Sequence, residues 1–337
     1  MTEKIETGAP AAAAPRPAGR AWLRQVVATA VSFGFLGAIY WRIDLGALGA
    51  SIAGASIGWI LIAIVALLPA LALTTWRLTV IARPHAPLSF GEAAKLVLIA
   101  HSLNMVLPSR LGDFAKAHAM AVPGTVPVRE ALSVVIIEKT WDALAVMFWC
   151  AVGVLTVRRS DLDLHGAAIA IVLVVVFGLL VVASQRFAHV VFAGLRAFAP
   201  HRSGTAISEM ETVWTGALAA FWRDRRRAAQ VIGVTVVIWF IHLVEIWLFI
   251  LAVGVNVPFL AHLGLAPLVM MASLIPLTLS GIGTRDAAII ALYSPFMPAA
   301  TAAALGLLII LRYLVPAVAG IPFTSHYLGR IRLFGGG

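Results

Sequence analysis

The chain has 337 residues, of which 61% are hydrophobic and 12% charged, with a formal net charge of +10 and a mean hydropathy of +0.97. Soluble domains carry about 25% charged residues, so this composition excludes a soluble globular protein and reads as an all-α polytopic membrane protein. The positive excess follows the positive-inside pattern rather than a nucleic-acid footprint, and a single cysteine, Cys150, excludes a disulfide framework or a Cys-based metal site.

Residues 1–21 are Ala/Pro-rich (TEKIETGAPAAAAPRPAGR) and are expected to form a disordered cytoplasmic N-terminus. They lack a signal-peptide core, so the first apolar helix is expected to stay as an anchor. Full spans are expected at 22–40, 55–82, 128–157, 165–184, 227–254 and 299–324, about six in all. No alternating strand pattern points to a β-barrel. Two further segments, 90–122 and 263–297, are apolar but interrupted near the middle by LPSRLGD and LSGIGTRD. The chain thus divides into a membrane half at 22–184, a basic linker at 185–226 and a second membrane half at 227–328. The linker contains FWRDRRR and reads as an amphipathic helix facing anionic head groups at the cytoplasmic surface.

The distribution of arginine and lysine places both termini in the cytoplasm of a bacterial-type inner membrane. That orientation closes only if the two interrupted segments are re-entrant, the first dipping in from the cytoplasm and the second from outside. The unit 55–157 then starts and ends outside, and the unit 227–324 starts and ends inside. With the same element order in opposite orientation they form an inverted repeat, a common transporter architecture. A short echo, Ser109-Arg-Leu-Gly112 against Ser280-Gly-Ile-Gly283, falls at the two breaks.

Ionisable groups at membrane depth are costly and mark sites or pairs. The third span carries Glu138, Lys139 and Asp142, with Glu138 and Asp142 four apart on one face. The fifth carries His242 and Glu245, and the last Arg312. Glu138, Asp142, His242 and Glu245 are candidate proton-coupling groups; the alternative is that they pair and lock helices together. Arg77, near the cytoplasmic end of the second span, is expected to snorkel. No metal site or cofactor is expected: His242 with Glu245 is only half of a Glu/His set, and the DLD at 161–163 reads as chance.

At the breaks two effects coincide. A helix starting at Ser109 or Ser280 turns unpaired N–H groups and a positive dipole end into the protein. Ser109 suits an N-cap and Asp113 the first turn. Gly112, Gly281 and Gly283 allow close backbone approach, while Arg110 and Arg285 add full positive charge. Such a combination suits an anion, phosphate above all; the alternative is that Asp113, Asp286, Glu138 and Glu245 neutralise these arginines.

NMVLPSRLGDFAKAHAM at 104–120 is similar to the N-x-x-L-P-x-R-x-G-[DE] signature of the lysylphosphatidylglycerol synthase/flippase membrane-domain family. EKTWD at 138–142 and LSGIGTRDAAIIALY at 279–293 resemble its two further elements, in order. The resemblance covers about residues 20–330 and implies a flippase-like domain moving phospholipids or other amphipaths between leaflets. It carries Asn104, Pro108, Arg110, Gly112, Asp113, Glu138, Asp142, Gly283, Arg285 and Asp286 onto the motif positions. The full synthases add a soluble aminoacyl-transfer domain, and no such domain is expected here, so enzyme activity is not expected. The reading is a lipid transporter for an anionic or phosphate-bearing lipid. Arg110, Arg285 and Arg312 would hold the phosphate, with Asn104, Ser109, Gly112, Asp113, Ser280 and Gly281 around it. The rival readings are a membrane-embedded transferase on lipid-linked substrates and a non-catalytic subunit of a hopanoid or polyprenyl-glycan pathway. Its partners would be the lipid substrate, and either a second copy or a pathway enzyme.

Overall fold

The computed structural model describes residues 34, 37, 41, 43–85, 87–107, 112–121, 126–156, 165–199, 203–273 and 283–334. Among these the protein is all-helical, with twelve helices and no strand. In chain order they are α1 (Leu45–Ala53), α2 (Ile57–Ala82), α3 (Phe90–Val106), α4 (Gly112–Ala121), α5 (Val128–Thr156) and α6 (His165–Ala183). There follow α7 (Gln185–Phe198), α8 (Gly204–Trp222), α9 (Arg225–Ala252), α10 (Phe259–Ala272), α11 (Thr284–Tyr293) and α12 (Ala299–Phe334). Residues 1–21, most of the expected span 22–40, the DLD at 161–163, and the break residues 108–111 and 274–282 lie outside the described residues.

Local chemistry sets the helix ends. Ser89 and Glu92 form a reciprocal capping box at the start of α3, with Ser89 N donating to Glu92 Oε2 at 2.9 Å and Glu92 N to Ser89 Oγ at 3.3 Å. Asp224 accepts from Arg227 N at 3.0 Å and caps α9. Gly254, at φ +77°, ends α9 in the left-handed region that an L side chain resists. The chain bends by 109° between the described part of α6, Ile171–Ala183, and α7. Ser184 caps the new helix by accepting from Phe187 N at 3.2 Å.

Among the described residues three helices are long and apolar enough to cross a membrane: α2, α9 and the Ala299–Ser325 portion of α12. The bent pair Ile171–Ala183 and Gln185–Phe198 makes a fourth if counted as one span. The expectation of six full spans is therefore met only in part. The helix expected at 128–157 exists as α5, but Glu130, Glu138, Lys139 and Asp142 charge its first half, and it is not among the apolar spans. On α2, Leu61, Ile62, Val65 and Leu68 are exposed, as a lipid-facing stripe would be. The basic linker 185–226 consists of α7, α8 and the start of α9, with α7 packed on α8. Arg196 and His189 both reach Glu211.

Two sets of four helices follow the same order: α2, α3, α4, α5 and α9, α10, α11, α12. In each, a long helix leads to a shorter one, a break, a ten-residue helix and another long helix. Their contacts are reciprocal. α2 packs on its counterpart α9, while α3 packs on α12 and α10 packs on α5. α2 and α9 run antiparallel: Ser56 N at the start of α2 donates to Ala252 O at the end of α9 at 2.8 Å. Twenty-one residues further along α2, Arg77 meets Thr235, early in α9.

Close approach in the two reciprocal pairs depends on glycine. A Cβ at Gly153 of α5 would collide with the backbone of Gly264 in α10, and one at Gly320 of α12 with Leu98 O and Ser102 Oγ of α3. The apolar core lies in two main clusters. One joins the end of α2, the start of α3 and the first half of α5 to α8 and the start of α9. The other joins the end of α9 to α10, α11 and α12, with Ala63 of α2 and Val146 of α5. Between them, at the middle of α9, the interior turns polar.

Candidate functional site

A cavity of about 170 Å³ occupies this polar zone. It is smaller than the roughly 300 Å³ at which ordinary ligand pockets begin. The flanks of both breaks line it: Asn104, Met105 and Asp113 at the first, Met270 and Arg285 at the second.

One wall is an ion-pair cluster centred on Arg77 of α2. This arginine is 1% exposed. Its Nη1 donates to Asp142 Oδ1 at 2.6 Å and to Thr235 Oγ1 at 3.0 Å, and its Nη2 to Glu138 Oε1 at 3.2 Å. Glu138 and Asp142 reach the same guanidinium because residues four apart share a helix face. Lys116 Nζ of α4 donates to Glu138 Oε2 at 2.5 Å. Lys139 lies 3.2 Å from both Asp113 Oδ2 and Asp142 Oδ2. The indole N–H of Trp239 donates to Asp142 Oδ1 at 3.1 Å. The cluster ties α2, α4, α5 and α9 together.

The snorkelling expected of Arg77 is thus corrected. Two carboxylates on α5 and a hydroxyl on α9 hold its head group inside the protein, where desolvation is offset by pairing. Lys116 went unnoticed in the sequence, although it lies three residues after Asp113 on the same short helix and so on the same face. His101, Trp239 and Thr235 were missed as well, because nothing in their own stretches marks them as neighbours of charge.

The other wall carries the arginines of the second half. Arg312 Nε lies 3.4 Å from Glu245 Oε2, and His242 Nδ1 lies 3.2 Å from the same oxygen. Arg285 Nη2 donates to Asp286 Oδ1 at 2.9 Å and to Gly306 O at 3.0 Å. Both guanidiniums stand by the ring of Tyr313, at 5.9 Å for Arg285 and 5.2 Å for Arg312. Asp286 also accepts from Gly283 N at 3.0 Å and closes the first turn of α11. Gly283 sits at φ +101°, a conformation glycine alone adopts readily. Its φ starts α11 at Thr284, four residues beyond the expected start at Ser280.

α4 is described from Gly112, three residues beyond Ser109. Gly112 is pressed against α3: a Cβ there would lie 2.6 Å from Ala100 O and from Asn104 N. Ser109, Arg110, Ser280 and Gly281 fall outside the described residues. The remaining expected residues, Asn104, Asp113, Glu138, Asp142, His242, Glu245, Arg285, Asp286 and Arg312, lie in or directly behind the two walls. Among the described residues no three His, Cys, Asp or Glu side chains group as a metal site.

Among the described residues every arginine and lysine of the two walls has a carboxylate partner. Arg77, Lys116, Lys139, Arg285 and Arg312 are matched by Glu138, Asp142, Asp113, Asp286 and Glu245. An anion entering the cavity therefore competes with carboxylates for guanidinium and ammonium groups.

A helical membrane protein with a charge-lined interior cavity between two similarly ordered sets of helices is the class that fold and site define. Residues 25–320 match the family model described as the lysylphosphatidylglycerol synthase TM region. The chain belongs to that family, the one its three motifs resemble, and the family points to a membrane protein linked to lipid modification or translocation. Comparison with curated proteins found no match.

Proposed function

We propose that the protein is a multi-pass inner-membrane lipid translocase that carries an anionic, phosphate-bearing head group through the cavity while the acyl chains stay in lipid. In this reading both termini are cytoplasmic, and the two broken segments are re-entrant hairpins of an inverted repeat. The antiparallel packing of α2 on α9 and the reciprocal pairs of α3 with α12 and α10 with α5 support the repeat.

The observation that carries the reading is the second wall. Arg285 and Arg312 flank one phenol ring at the edge of a cavity bordered by both breaks. Guanidinium groups recognise phosphate with paired, charge-assisted hydrogen bonds. Among the described residues the carboxylates balance the cations, and each is a partner to be exchanged when a phosphate arrives. The test is lipid mass spectrometry on the purified protein, wild type against Arg312→Ala. An anionic phospholipid enriched over the bulk membrane in the wild type and lost in the variant supports the reading. Co-purified lipid of bulk composition in both proteins overturns it.

A further inference from the structure

We propose that the translocase takes up one proton with each anionic head group, and that the His242–Glu245 pair holds it. The inference rests on the reading of the cavity as an anion path. The carboxylates of the cavity are not held alike. Glu138 keeps two cations, Arg77 and Lys116, and Asp142 keeps two, Arg77 and Lys139. Either can lend one to a phosphate and remain paired. Asp286 has one cation, Arg285, but it also accepts from Gly283 N, which stays when the guanidinium leaves; Glu245 has no such reserve. It is fully buried, and Arg312 is the one arginine or lysine that pairs with it among the described residues. Its Oε2 receives both Arg312 and His242 Nδ1, and its Oε1 has no hydrogen-bond partner among the described residues.

Arg312 lines the cavity and Glu245 stands behind it. A phosphate that takes the guanidinium strips Glu245 of its counter-charge. A carboxylate buried without a cation is strongly disfavoured, and one remedy is at hand: a proton, on the carboxylate or on the imidazole beside it. The anion then brings one negative charge and the proton one positive, so the charge balance among the described residues is restored.

The other groups around α9 offer no substitute. Arg77 of α2 and Asp142 of α5 are bound to each other. His262 of α10 donates from Nε2 to Leu243 O at 2.8 Å and accepts at Nδ1 from the Tyr293 hydroxyl at 2.9 Å, so both its nitrogens are committed. α12 presents Arg312 itself. α8 shares an apolar cluster with the start of α9, through Leu218 and Phe221 against Ala228 and Val231, far from the pair. His101 of α3 lines the same cavity as His242.

The experiment uses the full chain in nanodiscs and dihexanoyl-phosphatidylglycerol as the probe, whose phosphodiester stays ionised throughout. Affinity is measured from pH 6 to pH 8, and proton uptake with an indicator in weak buffer. One proton per anion makes the Kd about tenfold weaker for each unit of rising pH, with one proton taken up per probe bound. Glu245→Gln is expected to flatten that slope. Wild-type affinity equal at pH 6 and pH 8 overturns the coupling while leaving the anion path intact. A full slope retained in Glu245→Gln overturns the assignment to this pair. Failure of the wild type to bind the probe at any pH overturns both.

Discussion

Replacing Arg77 by Met keeps length and removes the charge at the centre of the first wall. Arg77 makes two ion pairs and a hydrogen bond to Thr235. Breaking a buried ion pair costs about 3–5 kcal/mol because a charge is left behind without its partner. Here Glu138 retains Lys116, and Asp142 retains Lys139 and Trp239, so the cost falls at the lower end, about 3 kcal/mol. The wall is then left with one excess negative charge, since Asp113, Glu138 and Asp142 face only Lys116 and Lys139. Adding Asp142→Asn removes that excess and leaves Glu138 with Lys116 and Asp113 with Lys139. The double variant is therefore expected to be more stable than Arg77→Met alone, by about 1 kcal/mol or more, the coupling expected between directly paired residues. Reversible unfolding in mixed micelles with rising SDS fraction, followed by tryptophan fluorescence, reads all three proteins. An Arg77→Met cost within about 0.5 kcal/mol of zero, the size of a surface pair, would refute the burial of this cluster. Additive losses in the double variant would refute the charge balance.

Gly153→Leu and Gly320→Leu each force apart one of the reciprocal helix pairs and are expected to cost about 1–3 kcal/mol or more, whereas Gly233→Ala, with open space around it, is expected to be neutral or slightly stabilising in the same unfolding assay. A cysteine placed within 115–125 is expected to label from the cytoplasm and one within 293–298 from outside; labelling of both from one side would remove the inverted repeat. The hydrogen bond from Arg196 holds the Glu211 carboxyl below the usual carboxylate range. A depressed carboxylate stabilises above its unfolded pKa and loses that contribution as pH falls through its folded one. Emission of Trp214, which packs on Phe192 of α7, is accordingly expected to hold steady from pH 8 to pH 5 and to shift only in stronger acid. Arg110→Ala is expected to slow lipid transfer without loss of expression, and Arg285→Ala to slow it at a cost in stability because Asp286 loses its cation, both measured by reconstitution at equal protein density.

Much of this was legible in the sequence because membrane proteins advertise their exceptions. Composition alone fixed the class, and two apolar segments interrupted by Gly, Ser and Arg marked the breaks. The spacing of Glu138 and Asp142 announced a shared face. What escaped was partner identity across distance. Arg77 lies five residues before the end of an apolar helix, where a snorkelling arginine and a buried one leave the same local pattern. Its depth is decided by carboxylates 61 and 65 residues away. The Lys139 to Asp142 pair was local and readable, but the sharing of Lys139 with Asp113 depends on how α4 returns against α5. The start of α11 was misplaced because Ser280 is a better cap by residue type, while Gly283 starts the helix through a backbone conformation and the Asp286 carboxylate.

In the proposed transport an anionic head group crosses through the cavity by way of Arg285 and Arg312. This crossing is tested most directly in proteoliposomes carrying a trace of fluorescent phosphatidylglycerol, with the inner-leaflet fraction read by dithionite quenching. The wild type is expected to exchange the probe between leaflets far faster than protein-free vesicles, and Arg312→Ala to return the rate to near background. Exchange no faster than in empty vesicles, or undiminished exchange in both Arg285→Ala and Arg312→Ala, would contradict it.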